Sequence, residues 1–297
     1  DYLEKAQRAS GKPVFLVANR QGSGADELAI SSTYQGLPVI DGVTQFLVGA
    51  RCLLAYRDFQ QRAVMKCDVT DQQKVDYWKR QLQDCDYVSE SLASELLRDF
   101  GIPMIQSLEV SSLDELQTAV LNVGFPLVLK TAVQGIDHKT EVGGVILNIS
   151  DQPQLQDAYE DLLQRLGPAV TVAPMANNNG VEMILGVSRD EQFGPTVVVG
   201  FGGIYAEILS DVAVMLPPFD SAEVKRVLKS LSMYPLLEGV RGGSPLDIDS
   251  YCDVAAKMSA IALALSDSVV EIDINPVRLG VKGCIGLDAL VVQEQKN

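Results

Sequence analysis

From residue 88 to the C-terminus, short apolar runs alternate with helical segments, and this alternation constrains the fold more than any other feature. Strands are predicted at "FPLVLKTA", "VGGVILNI", "AVTVAPMA", "VEMILGVSRD" and "TVVVGFGG", and helices at "VSESLASELLRDFG", "SDQPQLQDAYEDLLQRLG", "DSAEVKRVLKSL" and "DVAAKMSAIALALSD". The pattern indicates an α/β domain over residues 89–297. The turn signal "NNNG" predicts that the strands on either side of it form a hairpin.

The first 60 residues are typical of the end of another α/β domain. "KPVFLVAN" and "GLPVI" suit short strands, and "GADELAISST" and "GVTQFLVGARCLLAYRDF" suit helices. These strands are too few to close a doubly wound sheet, so we expect further strands upstream. Residues 61–88 are polar and are predicted to form a linker with a little helix, in which Tyr77 and Trp78 anchor the chain to a domain face, with a ligand role as the alternative.

Composition excludes several classes of protein. The 297 residues are 47% hydrophobic, enough for two domains with cores, and carry a net charge of −15, which argues against a nucleic-acid partner. The longest apolar runs are too short to span a membrane. The N-terminus is charged and lacks a Met, so we expect the interior of a longer chain here and not a signal peptide. Five cysteines without a CxxC motif and a single histidine favour a reducing, cytoplasmic compartment.

The C-terminal segment "VVEIDINPVRLGVKGCIGLDALVV" predicts a hairpin with polar side chains on one face. Glu271, Asp273 and Asn275 alternate with apolar residues. A turn centred near residue 281 brings Asn275 opposite Asp288, at the spacing of about 5 Å that separates paired residues. Two oxygen ligands suit Mg²⁺, which takes few ligands from protein. The alternative is the solvated face of an edge hairpin.

Four further segments are candidate phosphate or nucleotide contacts, each with a structural alternative. Gly202 and Gly203 follow a strand and let backbone N–H groups approach a phosphate, or they form a tight turn. Arg241 in "GVRGG" can bind a phosphate through two hydrogen bonds, or the segment is a structural anchor. Lys130 ends an apolar strand and either points into a cleft or extends to water. Glu182 opens another strand and is a polar contact or a solvent-facing carboxylate.

The single histidine, His138, lies in "GIDHKTEVGGVI". Imidazole can accept a phosphoryl group or act as a general base near neutral pH. The alternative is an exposed loop residue. Gly143 and Gly144 are predicted to keep the adjoining backbone pliant.

The order of these motifs resembles the ADP-forming acyl-CoA synthetases, the acetate–CoA ligase relatives of succinyl-CoA synthetase. The segments that carry the resemblance are "GIP" (101–103), "GFPLVLK" (124–130), "DHKTEVGGV" (137–145), "RDEQFGPTVVVGFGGIYAEILSDVAV" (189–214), "LLEGVRGGSPLDID" (236–249), "EIDINPVRL" (271–279) and "GLDA" (286–289). The resemblance implies an ATP-grasp domain over 89–297, preceded over 1–60 by the C-terminal part of a flavodoxin-like ligase-CoA domain.

The resemblance also implies the reaction acyl-CoA + ADP + phosphate ⇌ carboxylate + CoA + ATP. Cofactors would be ATP or ADP and Mg²⁺, and CoA would be a substrate of the complete enzyme. His138 would be the second phosphohistidine of a relay, Lys130 would contact the nucleotide, and Asn275 with Asp288 would hold the metal. The adenine would rest on a strand formed by Val172, Ala173, Pro174 and Met175. The partner would be an upstream CoA-binding ligase half, in the same chain or a separate subunit, and the family pattern also allows a homo-oligomer.

Two departures from the family pattern leave rival hypotheses open. The primary phosphohistidine is absent, so this polypeptide cannot run the whole reaction alone. Met215 stands in a segment where the family usually has a basic residue, which favours a catalytically impaired nucleotide-sensing module. A third hypothesis is an ATP-grasp carboxylate–amine ligase, which forms an acyl phosphate without a histidine.

Overall fold

The computed structural model describes residues 2–19, 26–37, 39–61, 71–136, 139–177, 179–203, 209–240 and 242–294. The chain divides into two compact units, Asp1–Val64 and Met65–Asn297. Among the described helices, none is long and apolar enough to cross a membrane.

The N-terminal unit contains the predicted strands and helices. Its elements are α1 (Tyr2–Ser10), β1 (Leu16–Ala18), α2 (Glu27–Tyr34), β2 (Val39–Asp41) and α3 (Val43–Gln60). β1 and β2 pair in parallel, with Leu16 opposite Val39. Neither α2 nor α3 buries a side chain, as expected where two short strands cannot cover the helices.

The second unit opens with two helices, α4 (Gln72–Asp84) and α5 (Glu90–Asp99). Both begin at a capping side chain: Asp71 accepts from the N–H groups of residues 73 and 74, and Ser89 accepts from that of residue 92. The stretch 61–88, predicted as a linker, therefore contains a helix of 13 residues. Trp78 is 2% exposed in the core of this unit and donates its indole N–H to Asp99 on α5 at 2.8 Å. Trp78 thus anchors α4 as predicted, whereas Tyr77 is exposed.

A small four-stranded antiparallel sheet follows. Its elements are β3 (Leu108–Val110), α6 (Leu113–Val123), β4 (Leu127–Thr131), β5 (Val145–Ile149), α7 (Gln152–Arg165) and β6 (Val170–Pro174), with the strand order β3-β6-β4-β5. Alternate residues of β4 and β6, such as Leu129 and Val172, lie in a core against α6 and α7. Because strand side chains alternate, Lys130 and Thr171 lie on the opposite face.

A larger six-stranded sheet forms the rest of the unit. Its elements are β7 (Val181–Asp190), β8 (Gly194–Phe201), β9 (Val212–Met215), α8 (Ser221–Leu228), α9 (Tyr234–Leu237), α10 (Ile248–Ala264), β10 (Val269–Leu279), β11 (Cys284–Gly286) and β12 (Leu290–Gln293). The order is β11-β10-β7-β8-β9, and β12 pairs with β10 beside β11. Its core also includes α4, α5 and α10.

The prediction that "NNNG" joins the two strands of a hairpin is wrong. β6 lies in the small sheet between β3 and β4, while β7 lies in the large sheet between β8 and β10. Residues 175–180 therefore carry the chain from one sheet to the other. A local turn signal predicts only that the chain bends. Which strands pair depends on the core in which each strand is buried, and β6 and β7 are buried in different cores.

The C-terminal hairpin has the predicted register. Val277 pairs with Gly286 and Asp273 pairs with Leu290. Between these pairs, the Leu287 N–H donates to the Pro276 carbonyl at 3.0 Å. The same register continued through residues 275–288 sets Asn275 across from Asp288, as the sequence predicts.

Candidate active site at the junction of the two sheets

Four charged side chains meet where the small sheet approaches the C-terminal hairpin. Lys130 Nζ on β4 lies 3.0 Å from Glu90 Oε1 and 3.3 Å from Asp288 Oδ2. Lys139 Nζ lies 2.5 Å from Glu90 Oε2 and 3.2 Å from Asp288 Oδ1. Each carboxylate thus contacts both ammonium groups, and the alternating signs form a closed, formally neutral arrangement, here called the charge ring.

The charge ring is largely shielded from water. The exposed fractions of its side chains are 6% for Glu90, 9% for Lys130, 14% for Lys139 and 29% for Asp288. Burial by itself would lower the pKa of Lys139, but the carboxylates of Asp288 and Glu90 outweigh it and the pKa is raised. Lys139 is therefore charged at neutral pH. Asp288 is the ring member most open to a ligand.

Lys130 reaches the ring because it lies on the face of the small sheet that turns away from its helices. Its backbone pairs with Thr171 on β6 and Val145 on β5, and its ammonium also donates to the Leu287 carbonyl at 2.8 Å. The alternative in which Lys130 extends to water is thereby excluded. Thr171 lies directly across from Lys130 on the same face, and its buried hydroxyl has no hydrogen-bond partner among the described residues.

The hairpin residues have the chemistry of a magnesium site. Asn275 is exposed, while its neighbour Ile274 is fully buried, so the polar and apolar faces of β10 separate as predicted. One carboxylate and one amide oxygen are hard ligands, and Mg²⁺ typically takes one or two such groups from protein. Within the described part of the chain, no cluster of three or more His, Cys, Asp or Glu could hold a metal. The donor set therefore fits Mg²⁺ completed by water and phosphate oxygens.

The segment that follows His138 is fastened to the small sheet. His138 and Asp137 lie outside the described residues. The Gly144 N–H donates to the Lys139 carbonyl at 2.7 Å, and Arg165 donates to the carbonyl of Gly143 at 2.9 Å. A Cβ on Gly144 would lie 2.6 Å from the Thr131 side chain. Gly144 is thus required for close packing, and Gly143 has a φ of +62°, a backbone conformation that favours glycine.

The glycines after β8 also have a packing role. The Gly202 N–H donates to the Glu182 carbonyl at 2.8 Å, so this donor is already used within the protein. Gly203 has a φ of +59°, and a Cβ there would collide with the Glu182 carboxylate. That carboxylate accepts from Arg278 on β10 at 2.7 Å. Glu182 and Gly203 therefore lie side by side, with Arg278 as an adjacent cation.

The remaining candidates are distributed as follows. Val172 is fully buried in the core of the small sheet and pairs with strands on both sides, so its side chain packs in the core. Ala173 is buried on the face that carries Lys130, and Pro174 and Met175 are half-buried at the exit from β6. Arg241 lies outside the described residues. Met215 is 6% exposed in the core of the large sheet, which explains an apolar residue at this position.

Three charged residues of this region were not predicted from the sequence: Glu90, Lys139 and Arg278. Glu90 is the first residue of α5, directly after the cap Ser89, and a carboxylate there is ordinarily explained by the helix dipole. Lys139 directly follows His138 in the sequence, and this position next to a candidate catalytic residue could have identified it as a candidate as well. Arg278 faces Glu182 in the β7–β10 register, a pairing that depends on the sheet order.

Comparison with known proteins agrees with this architecture. A family model described as an ATP-grasp domain matches residues 81–292. The beta subunit of an ADP-forming acetate–CoA ligase I from Pyrococcus furiosus is 32% identical over 213 residues, which cover 68% of this chain and 90% of that subunit. A trans-feruloyl-CoA synthase from an unknown prokaryotic organism is 34% identical over 218 residues, which cover 70% of this chain and 31% of that protein.

A solved structure shares the fold. It is an acetyl-coenzyme A synthetase of Ca. Korarchaeum cryptofilum in complex with coenzyme A and Mg-AMPPCP, with its phosphohistidine segment pointing towards the nucleotide-binding site. The identity is 30% and the TM-score 0.64, with 74% of this chain and 100% of that chain covered. This chain therefore belongs to the ATP-grasp family, in the group of the ADP-forming acetate–CoA ligases. It spans about a third of the synthase and nine-tenths of the Pyrococcus subunit.

Proposed function

We propose that this chain is the nucleotide-binding and phosphoryl-relaying part of an ADP-forming acyl-CoA synthetase. The observation that carries the proposal is the contact of Lys130 with Asp288 at 3.3 Å. From the sequence, Lys130 was expected to contact a nucleotide and Asp288 to hold a metal. Lys130 lies on β4 of the small sheet, and Asp288 lies between β11 and β12 of the large sheet. A cation-binding carboxylate beside a buried lysine is what a Mg²⁺·nucleotide requires, because phosphate oxygens are shared between metal and ammonium.

The nucleotide would lie along the Lys130 face of the small sheet. Lys130 supplies positive charge for the phosphates, and the unpartnered Thr171 hydroxyl supplies a hydrogen-bonding group beside it. Pro174 and Met175 at the exit of β6 would hold the base. The Gly203 N–H and Arg241 would complete the phosphate contacts, since the Gly202 N–H already donates to Glu182. Asp288 and Asn275 would hold Mg²⁺, which neutralises phosphate charge when bound.

We assign the phosphoryl relay to His138, the residue before Lys139. Lys139 Nζ lies 3.2 Å from Asp288 Oδ1, which brings the histidine's sequence neighbour to the proposed metal site. A neutral imidazole there would accept the phosphoryl group and pass it on, so that one long transfer becomes two shorter ones. The Korarchaeum relative has a phosphohistidine segment that points towards its nucleotide-binding site, which supports a histidine relay at such a site in general.

The rest of the reaction would need an upstream CoA-binding ligase half, fused or separate. Acyl-CoA and the carboxylic acid would bind mostly there. The described cysteines Cys52, Cys85, Cys252 and Cys284 are all free thiols, which suits a reducing cytoplasmic compartment. Met215, the one feature that favoured a nucleotide sensor, is buried in the core of the large sheet and has a packing role there.

The direct test is calorimetric titration of the 297-residue chain with ADP, with and without Mg²⁺. We expect binding that tightens with Mg²⁺, and we expect Asp288→Asn to abolish the Mg²⁺-dependent part. Asp249→Asn is the matched control, because Asp249 pairs with Lys225 on the surface of α10. Absence of ADP binding at millimolar Mg²⁺ would refute the proposal, as would an Asp288→Asn variant with an unchanged response to Mg²⁺.

A further inference from the structure

Both oxygens of Asp288 already face a cation in the charge ring. Oδ1 lies 3.2 Å from Lys139 Nζ and also accepts from the Ala289 N–H at 2.9 Å, and Oδ2 lies 3.3 Å from Lys130 Nζ. A Mg²⁺ ion would have to approach a ligand oxygen to about 2.1 Å. An ammonium at hydrogen-bond distance from the same oxygen occupies that space and repels the incoming charge. Oδ1 already accepts from both Lys139 and the Ala289 N–H, so a metal that binds this oxygen has to displace a donor, and the lysine side chain is the one that can move.

The structure distinguishes the two lysines. Lys130 lies in the middle of β4, between β5 and β6, and its ammonium has a third acceptor in the Leu287 carbonyl. Lys139 lies in the loop after His138, and its ammonium contacts Glu90 and Asp288 within the described chain. Lys139 is also the more exposed of the two. Its side chain can leave the ring while its backbone stays bound to Gly144.

We propose that the Lys139 ammonium stands in for the divalent cation at Asp288 in the nucleotide-free protein, and that Mg²⁺ displaces it. Lys139 is thus a positioning residue: it keeps Asp288 and Glu90 neutralised and in place until the metal arrives. This inference rests on the proposed function, since it assigns a metal to Asp288.

The first test measures the reactivity of lysine amines in the wild-type chain. Brief reductive methylation, read out by peptide mass spectrometry, is carried out with and without saturating Mg²⁺. Mg²⁺ is used without nucleotide so that no phosphate can cover the released amine. We expect labelling of Lys139 to rise at least about five-fold with Mg²⁺, while Lys130 stays protected and exposed Lys225 is unchanged. Unchanged Lys139 labelling with metal bound would overturn the inference.

The second test measures the affinity for Mn²⁺ alone, by electron paramagnetic resonance of the free ion. We expect Lys139→Met to bind Mn²⁺ at least ten-fold tighter than wild type, because no ammonium must be displaced. Lys225→Met is the matched control and should leave the affinity unchanged. Weaker binding in Lys139→Met would show that this lysine helps to hold the metal complex, against the inference.

The two failures are distinguishable. If neither wild type nor Lys139→Met binds Mn²⁺ or Mg²⁺·ADP, the proposed function falls and this inference with it. If both bind and Lys139 stays protected from labelling, only the inference falls. Thermal melting of Lys139→Met, with Lys139→Gln as a second variant, verifies that the comparison is made on folded protein.

Discussion

Replacement of Glu90 by glutamine tests the energetic role of the charge ring. Glu90 is 6% exposed and accepts from two ammonium groups that are 9% and 14% exposed. Glutamine keeps the shape but leaves two buried ammonium groups facing one carboxylate, Asp288. Removal of one member of a buried ion pair costs about 3–5 kcal/mol, since the remaining charge is left uncompensated. We expect the free energy of unfolding to fall by about 3 kcal/mol, because the amide oxygen still accepts one hydrogen bond.

The measurement is urea unfolding followed by tryptophan fluorescence. Trp78 is the single tryptophan of the chain and lies buried in the Met65–Asn297 unit, so it reports on the unit that contains the ring. With a urea slope of about 3 kcal/mol/M, the midpoint should fall by about 1 M. Asp249→Asn removes a carboxylate from an exposed pair and should cost about 1 kcal/mol or less.

A double variant sharpens the test. Glu90→Gln combined with Lys139→Met removes one charge of each sign and restores neutrality, so we expect it to be more stable than Glu90→Gln alone. If Glu90→Gln costs no more than Asp249→Asn, the ring contributes no net stability. If the double variant loses the sum of both single losses, the two side chains are not coupled. Either result would refute the reasoning.

Three further predictions follow from single side chains. Thr171→Val should leave thermal stability unchanged or raise it, because the buried hydroxyl has no hydrogen-bond partner to lose. The same variant should bind ADP more weakly, because the hydroxyl is proposed to contact the nucleotide. A large loss of thermal stability would contradict this prediction. Burial raises the pKa of the Cys252 thiol to about 12, so iodoacetamide at pH 8 should label exposed Cys52 and spare Cys252 in the native chain, as peptide mass spectrometry would show. The hydrogen bond from Trp78 holds the pKa of Asp99 below its ordinary value of 3.8. The stability that this carboxylate contributes is therefore present above the ordinary value and is lost as the pH falls through the lower pKa of the folded state. Asp99→Asn should flatten the fall in the free energy of unfolding below pH 4, and an unchanged fall would contradict the assignment.

The parts of the fold that were predictable depend on local periodicity. The C-terminal hairpin is the best case: the two-residue alternation of β10 defines its faces, and the turn near residue 281 defines its register, so the pairing of Asn275 with Asp288 follows from the sequence. Helix α5 is another, because a serine cap and a glycine stop are both local signals, and the structure has them at Ser89 and Gly101.

The parts that were not predictable depend on contacts distant in the sequence. Glu90 meets Lys130 across 40 residues, and Lys139 meets Asp288 across 149. No local sequence pattern around these residues predicts which distant residue each one contacts. The mistaken hairpin at "NNNG" has the same cause, because strand partners are selected by burial in one of two cores. The glycines at 144 and 203 could be singled out by type, but their reason, close contact with Thr131 and Glu182, required the tertiary structure.

The most direct test of the central claim is phosphorylation of the 297-residue chain by γ-labelled ATP and Mg²⁺. The wild type is compared with His138→Asn and with Glu141→Gln, an exposed residue of the same loop. The relay predicts a label that is lost in acid and survives in base, that is absent from His138→Asn and that persists in Glu141→Gln. A label that remains in His138→Asn, or no acid-labile label in a chain that binds Mg²⁺·ADP, would contradict the assignment of the relay to His138.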